Sequence, residues 1–270
     1  MLKVTFRVFG LSLWGTQFLC PLQLLGADLP TIVQRGHLIV GVKDNLRPLG
    51  FRDAQGNLQG LEIEIAQRLA EEIFGQPGAI VLKPVQNHDR LSVVMKGQVD
   101  VTIAKVTATP ARSRIVAFST PYYLDGTAIV TQRLDIQTAS DLANQSIAVL
   151  NNSSTIAVLR YRLPQSKLVG VDSYEAGQKL LASGKAIAFA ADQSVLSGWV
   201  QEFPHYRLLP LRLSAEPLCI VLPKGVQYDA LRQRVDRTIA RWKSEGWLQK
   251  RAIKWGLPWD NLGIERRENL

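Results

Sequence analysis

Cysteine and histidine are both scarce in this 270-residue chain. There are two cysteines, Cys20 and Cys219, and three histidines, His37, His88 and His205, far apart and without a ligand partner at helical spacing. That argues against a zinc-type site and against a disulfide framework. No G-x-S-x-G elbow, G-x-G-x-x-G turn or phosphate loop occurs, so the commonest signatures of hydrolases and nucleotide enzymes are missing. Long apolar runs are also missing beyond the N-terminus, which excludes a multi-span membrane protein. What remains is 46% hydrophobic and 20% charged, with 13 prolines and 20 glycines, the profile of a globular protein with ample core.

The first 27 residues read as a secretory signal. Lys3 and Arg7 open the chain, an uncharged run follows from Val8 to Ala27, and Asp28 is the first acid. Cleavage after Leu25-Gly26-Ala27 is expected, with an uncleaved membrane anchor as the alternative; Gln17, Pro21 and Gln23 weaken the run as a span. Bulky Phe18 and Leu19 before Cys20 argue against a lipidated cysteine. Cleavage leaves Cys219 alone, in an apolar run where a buried structural thiol is the ordinary reading. It also leaves 30 basic residues against 23 acidic ones, a net charge of +7. The basic residues are scattered, so nucleic acid is not the expected partner.

From Gly36 onward, strand-like and helix-like segments alternate, the signature of an α/β layer protein. His37 to Val42 is β-rich. Leu61, Ile65, Leu69 and Ile73 recur every fourth residue with acids and Arg68 between them, an amphipathic helix. Strands are expected at 79–82, 99–104, 115–118, 146–150, 167–171 and 186–191, and helices at 91–96, 154–163 and 174–182, with Ser140 capping a helical turn. The segments Val93 to Val101 and Leu180 to Ala188 echo each other as a helix end, a glycine cap and a strand. Two comparable halves are implied. A basic helix carrying Leu231, Val235, Ile239 and Trp242 on one stripe follows, ended by Gly246, after which Trp247, Ile253 and Trp255 can pin a last helix against a lobe.

The most informative stretch is KVTATPARSRIVAFSTPYY, Lys105 to Tyr123. A strand ends near Ala104 and enters a loop holding Thr107, Thr109 and Arg112, where ligands of open α/β sheets gather. An arginine there can fork onto a carboxylate while threonine hydroxyls share the load. A surface arginine satisfying loop carbonyls is the simpler alternative.

The chain resembles the bacterial extracellular solute-binding proteins of the polar amino-acid uptake type. The resemblance rests on G-x-L-x-V-G-V at Gly36 to Val42 and D-x-x-G-x-x-x-G-L-E-I-E-I-A at Asp53 to Ala66. It continues with N-x-x-R-x-x-x-x-x-x-G-x-V-D at Asn87 to Asp100 and T-x-T-x-x-R-x-x-x-V-x-F-S-x-P-Y-Y at Thr107 to Tyr123, then L-x-S-G-K-A-x-A-F-x-x-D at Leu181 to Asp192 and Lys254-Trp255. It implies an α/β, two-lobed type II periplasmic binding protein fold with a two-strand hinge. Residues 28–123 and 218–270 would form lobe 1 and 124–217 lobe 2.

By that resemblance Arg112 matches the arginine that grips a ligand's α-carboxylate, Thr107 its hydroxyl neighbour, and Asp192 the acid that takes the α-amino group. Asp192 also precedes a helix and can serve as its cap. Ser153 and Ser154 fall at a helix start that offers N–H groups to an anion. Lys43, Arg90, Lys105, Asn87 and Tyr174 complete the expected ligand-binding set. Departures bear on specificity: the family often has aromatics near Leu46 and Asn87, a glycine or serine where Lys105 stands and a glycine where Asn152 stands. Many receptors for cationic ligands have an acid where Lys43 stands. Arg112, Arg90, Lys43 and Lys105 against Asp192 and Asp44 leave surplus positive charge, which a second ligand carboxylate would balance. Glutamate or aspartate is therefore favoured, with glutamine possible.

The expected function is a monomeric, cofactor-free and metal-free periplasmic receptor that delivers its amino acid to an ABC permease. A dehydratase or lyase on the same fold, with Glu216 or Asp44 as base, and a ligand-sensing module are the alternatives.

Overall fold

A computed structural model describes residues 26–259, so the expected signal segment lies outside the described residues except for Gly26 and Ala27. Asp28 starts the fold: its carboxylate accepts a 3.0 Å bond from the Thr31 N–H, capping α1 (Leu29–Arg35), and Gly36 closes that helix in the left-handed region at φ 79°. Strand β1 (Leu38–Val42) follows, then three short strands that pair with one another, β2 (Asn45–Leu46), β3 (Gly50–Arg52) and β4 (Leu58–Gln59). Next come α2 (Leu61–Phe74), β5 (Ile80–Pro84), α3 (Ser92–Met95), β6 (Val101–Ile103) and β7 (Ala117–Asp125).

A second series then begins with β8 (Thr127–Thr131), β9 (Ser146–Leu150), α4 (Thr155–Arg162) and β10 (Lys167–Val171). It continues through α5 (Tyr174–Ala182), β11 (Ala188–Asp192), α6 (Gln193–Glu202) and β12 (Arg207–Leu208). The chain returns to the first body as β13 (Glu216–Leu222), α7 (Asp229–Ser244) and α8 (Trp247–Lys254).

Each series builds one five-stranded sheet, in the orders β5-β1-β6-β13-β7 and β10-β9-β11-β8-β12. Three parallel strands are followed by antiparallel ones in both. The protein is thus α/β and two-lobed. The repeated glycine cap explains part of the likeness. Gly97 (φ 65°) and Gly184 (φ 69°) each turn the chain sharply after a helix, and the same two bonds form in both places: Gly97 N–H to the Val94 carbonyl and Gln98 N–H to Val93, Gly184 N–H to Leu181 and Lys185 N–H to Leu180. One cap leads into β6 and the other into β11, so the two lobes deliver equivalent strand ends. After one comes Lys105; the other ends on Asp192.

The first lobe packs α2 and α7 on its sheet. Leu61, Ile65 and Leu69 of α2 are buried, as are Leu231, Val235, Ile239 and Trp242 of α7, so the four-residue spacing read in both segments is the core stripe. The second sheet buries Phe189, Leu196, Trp199 and Tyr206 on one side and Ile129, Ile147, Val149 and Leu159 on the other. The chain leaves the first sheet at Gly126. A Cβ there would lie 2.0 Å from the Ser214 carbonyl oxygen on the returning segment, so only glycine lets the two crossings touch.

Two local expectations are corrected. Residues 115–118 do not all form a strand: the Ile115 and Val116 N–H groups both donate to the Arg112 carbonyl, at 3.0 and 3.1 Å, which uses them in a 3-10 turn before β7 starts at Ala117. Ser140 does not cap its turn. Asp141 instead accepts from the N–H groups of Gln137 and Thr138, at 2.9 and 2.8 Å.

Candidate functional site between the lobes

The edge of the first lobe facing the second carries three cations. Lys43, just past β1, is buried and donates to the Val85 carbonyl at 3.2 Å; burial, then the neighbouring Arg90 charge, pulls its ammonium below the ordinary lysine range. Arg90 donates to the carbonyls of Asn87 (2.9 Å), Ala104 (3.2 Å) and Lys105 (2.6 Å). Burial and the Arg112 charge beside it depress its basicity. Arg112 opens the 3-10 turn, and its guanidinium donates to the Thr107 carbonyl at 2.8 Å. All three cations are satisfied by carbonyl oxygens. Among the described residues, none of them has a carboxylate within ion-pair distance.

Glu62, on the first turn of α2, underpins this edge. It is fully buried, and its Oε1 accepts both the Lys105 N–H at 2.7 Å and the Tyr122 hydroxyl, while Oε2 has no partner. Burial raises its carboxyl above the usual range, more than those two bonds and the neighbouring cations lower it. In the window between the ordinary and the raised value, the folded chain holds a proton there that the unfolded chain has lost. This residue's contribution to stability therefore falls as pH rises through that window. Glu62→Gln is expected to flatten that limb of the thermal-stability profile, measured as Tm against pH; an unchanged slope would remove Glu62 as its cause.

Across the cleft, Asp192 ends β11 and occupies the N-cap position of α6, yet its side chain makes no capping bond. Asp125 does that work from the end of β7: its carboxylate accepts from the Ser194 N–H at 3.0 Å and hydroxyl at 2.5 Å, and from the Gly126 N–H at 3.0 Å. The Asp192 carboxylate is instead in a direct ion pair with the Lys105 ammonium, a contact from one lobe to the other. Tyr174 lies beside them, its ring tilted on Phe189 and edge-on to Trp199. Burial, chiefly, lifts its phenol above the ordinary tyrosine range, and the nearby Lys105 charge opposes that rise.

Of the ten residues expected at the site, the structure thus links Lys43, Arg90, Arg112, Lys105, Asp192 and Tyr174, with Thr107 and Asn87 tied in through their carbonyls. No bond joins Ser153 or Ser154 to that group. Ser154 stands at the start of α4 without a capping bond, and the Ser153 hydroxyl is buried without a partner. A cavity of about 390 Å³ opens beside Arg112, lined also by Asn87, Arg90, Met95 and Ile115; Asp192 is not in its wall. A larger cavity of about 650 Å³ lies by the crossings, against Leu124, Gln193, Arg212 and Pro258, and holds none of the expected residues.

Glu62 and Asp125 escape sequence reasoning. Each reads as an ordinary acid on a helix or strand, and only the packing of α2 under Lys105, and of β7 against α6, brings them to the site. The backbone at Lys105 (φ 49°) and Asn152 (φ 59°) is left-handed, a conformation that glycine adopts without strain. Cys219 is buried, and burial pushes its thiol up to about 11, an inert structural thiol.

Two α/β lobes joined by two crossings define the type II periplasmic binding-protein fold. The chain belongs to the bacterial extracellular solute-binding proteins, family 3, matching it over residues 38–258. It is 31% identical over 192 residues to the glutamine-binding protein of Geobacillus stearothermophilus, covering 70% of this chain and 73% of that one. It is 26% identical over 200 residues to the glutamate-binding protein GluB of Corynebacterium efficiens, covering 71% and 68%. Among solved structures it is similar to an ancestral cationic amino acid solute-binding protein, with a TM-score of 0.71 and 25% identity over 84% of this chain and 98% of that one. Among the described residues no helix is long and apolar enough to cross a membrane.

Proposed function

We propose that this chain is the periplasmic receptor of an ABC importer, a binding protein and not an enzyme, that captures a polar amino acid between its lobes and passes it to a permease of the inner membrane. Acidic amino acids, glutamate or aspartate, are the favoured ligands and glutamine the next. The similar proteins are named for glutamine, glutamate and cationic amino acids, so their names do not choose among ligands. The charge of the site is what supports an acidic ligand. One observation carries the reading: Lys43, Arg90 and Arg112 gather on one wall and, among the described residues, have no carboxylate within ion-pair distance, a surplus of positive charge that a second ligand carboxylate would balance.

In this reading residues 28–123 and 218–270 form lobe 1 and 124–217 lobe 2, and contacts from both lobes to one ligand favour the closed arrangement. Cleavage after Ala27 would begin the exported chain at Asp28, whose side chain caps the first helix. A thermal-shift screen of the common amino acids and dicarboxylates tests the specificity. Glutamate or aspartate is expected to raise the Tm by several degrees; stabilisation by arginine alone overturns the assignment.

A further inference from the structure

Lys105 is held in place by more than its ion pair. Its backbone is left-handed, its N–H is donated to Glu62 at 2.7 Å, and its carbonyl accepts from Arg90 at 2.6 Å. The side chain is thereby launched across the cleft onto Asp192, with 18% of its surface exposed. Asp192 is available because Asp125 has taken over the capping of α6. Burial pulls the ammonium's basicity down, but the Asp192 and Asp125 charges outweigh that and hold it above the ordinary lysine range. Asp125 and Glu216, whose carboxyls burial holds above the usual range, complete its surroundings together with Tyr174.

The acid that would receive a ligand's α-ammonium therefore already holds an ammonium of the chain's own. We propose that Lys105 is a tethered substitute for that group, and that the cleft also takes dicarboxylates without an amino group, 2-oxo acids and simple dicarboxylic acids, with Lys105 left on Asp192. The inference rests on the amino-acid reading of the cleft given above. An amino acid must displace Lys105, a competitor whose tether keeps it at high effective concentration. A ligand with no ammonium leaves the pair intact and offers both carboxylates to Lys43, Arg90 and Arg112.

Isothermal titration of glutamate and of 2-oxoglutarate, the same carbon chain with an oxygen where the ammonium stands, separates the possibilities. The wild-type chain is expected to bind 2-oxoglutarate at least as tightly as glutamate. In Lys105→Met the two move oppositely: 2-oxoglutarate weakens tenfold or more and glutamate tightens tenfold or more. Lys105→Gly, which suits the left-handed backbone, is the second variant, and circular dichroism checks the folding of both. If the wild type binds glutamate but not 2-oxoglutarate, or if the variants shift both ligands alike, the Lys105 assignment is overturned and the amino-acid reading stands. If the wild type binds neither, the acidic-ligand reading falls and this inference with it; the wild-type arm decides these cases without any variant.

Discussion

Arg112→Ala is expected to abolish measurable amino-acid binding. Micromolar affinity corresponds to about 8 kcal/mol. A two-pronged guanidinium–carboxylate contact supplies two charge-assisted hydrogen bonds of about 1.5 to 3 kcal/mol each. Losing both, about 3 to 6 kcal/mol in all, weakens a micromolar ligand by about two to four orders of magnitude, to or beyond the weak limit of calorimetry at ordinary protein concentrations. The loss is steep because neither Lys43 nor Arg90 stands at the head of the turn after Thr107, so neither reaches the carboxylate that Arg112 would hold. Arg112 also donates to Thr107, so the alanine variant's Tm should be measured alongside. Unaltered affinity for glutamate in a folded Arg112→Ala chain would take this residue out of the site.

Trp242→Ala should produce the largest loss of stability of any single change considered. The indole is fully buried on α7, 4.9 Å between ring centroids from Trp247, with the Arg68 guanidinium 5.6 Å away and its Nε1–H donated to Glu72 at 3.3 Å. Truncating a buried tryptophan costs about 3 to 5 kcal/mol, because transfer energy is lost and a cavity remains. Glu72 would lose a partner as well. Urea denaturation should show the midpoint falling with the slope unchanged; a shift of less than about 1 kcal/mol would mean that the site collapses around the missing ring. Because α7 packs on the first lobe, away from Arg112 and Asp192, ligand affinity in the still-folded fraction should be retained.

Both effects were visible in the chain before any fold was known, though for different reasons. The four-residue spacing of Leu231, Val235, Ile239 and Trp242 is a local pattern, and a helix must bury such a stripe whatever it packs against. The glycine caps at Gly97 and Gly184 are equally local, since a left-handed turn is a property of one residue and its neighbours. The order of the motifs from Gly36 to Trp255 carried the family, and with it Arg112 and Asp192 as candidates. Local patterns failed where hydrogen bonding ran otherwise, as at Ile115, whose N–H was claimed by Arg112, and at Ser140, which makes no capping bond while Asp141 binds the N–H groups of the preceding Gln137 and Thr138. The partners of the site residues were not legible at all. That Glu62 supports Lys105, that Asp125 caps α6 in place of Asp192, and that Lys105 consequently meets Asp192 are contacts between residues 43, 69 and 87 positions apart. Sequence alone determined the amphipathic helices, the parallel strands of both halves and the chemical types gathered near their ends, because those depend on neighbours along the chain. Which charge faces which was settled only when two sheets came together, because ion pairing depends on distance in space, and that distance exists only in the folded molecule.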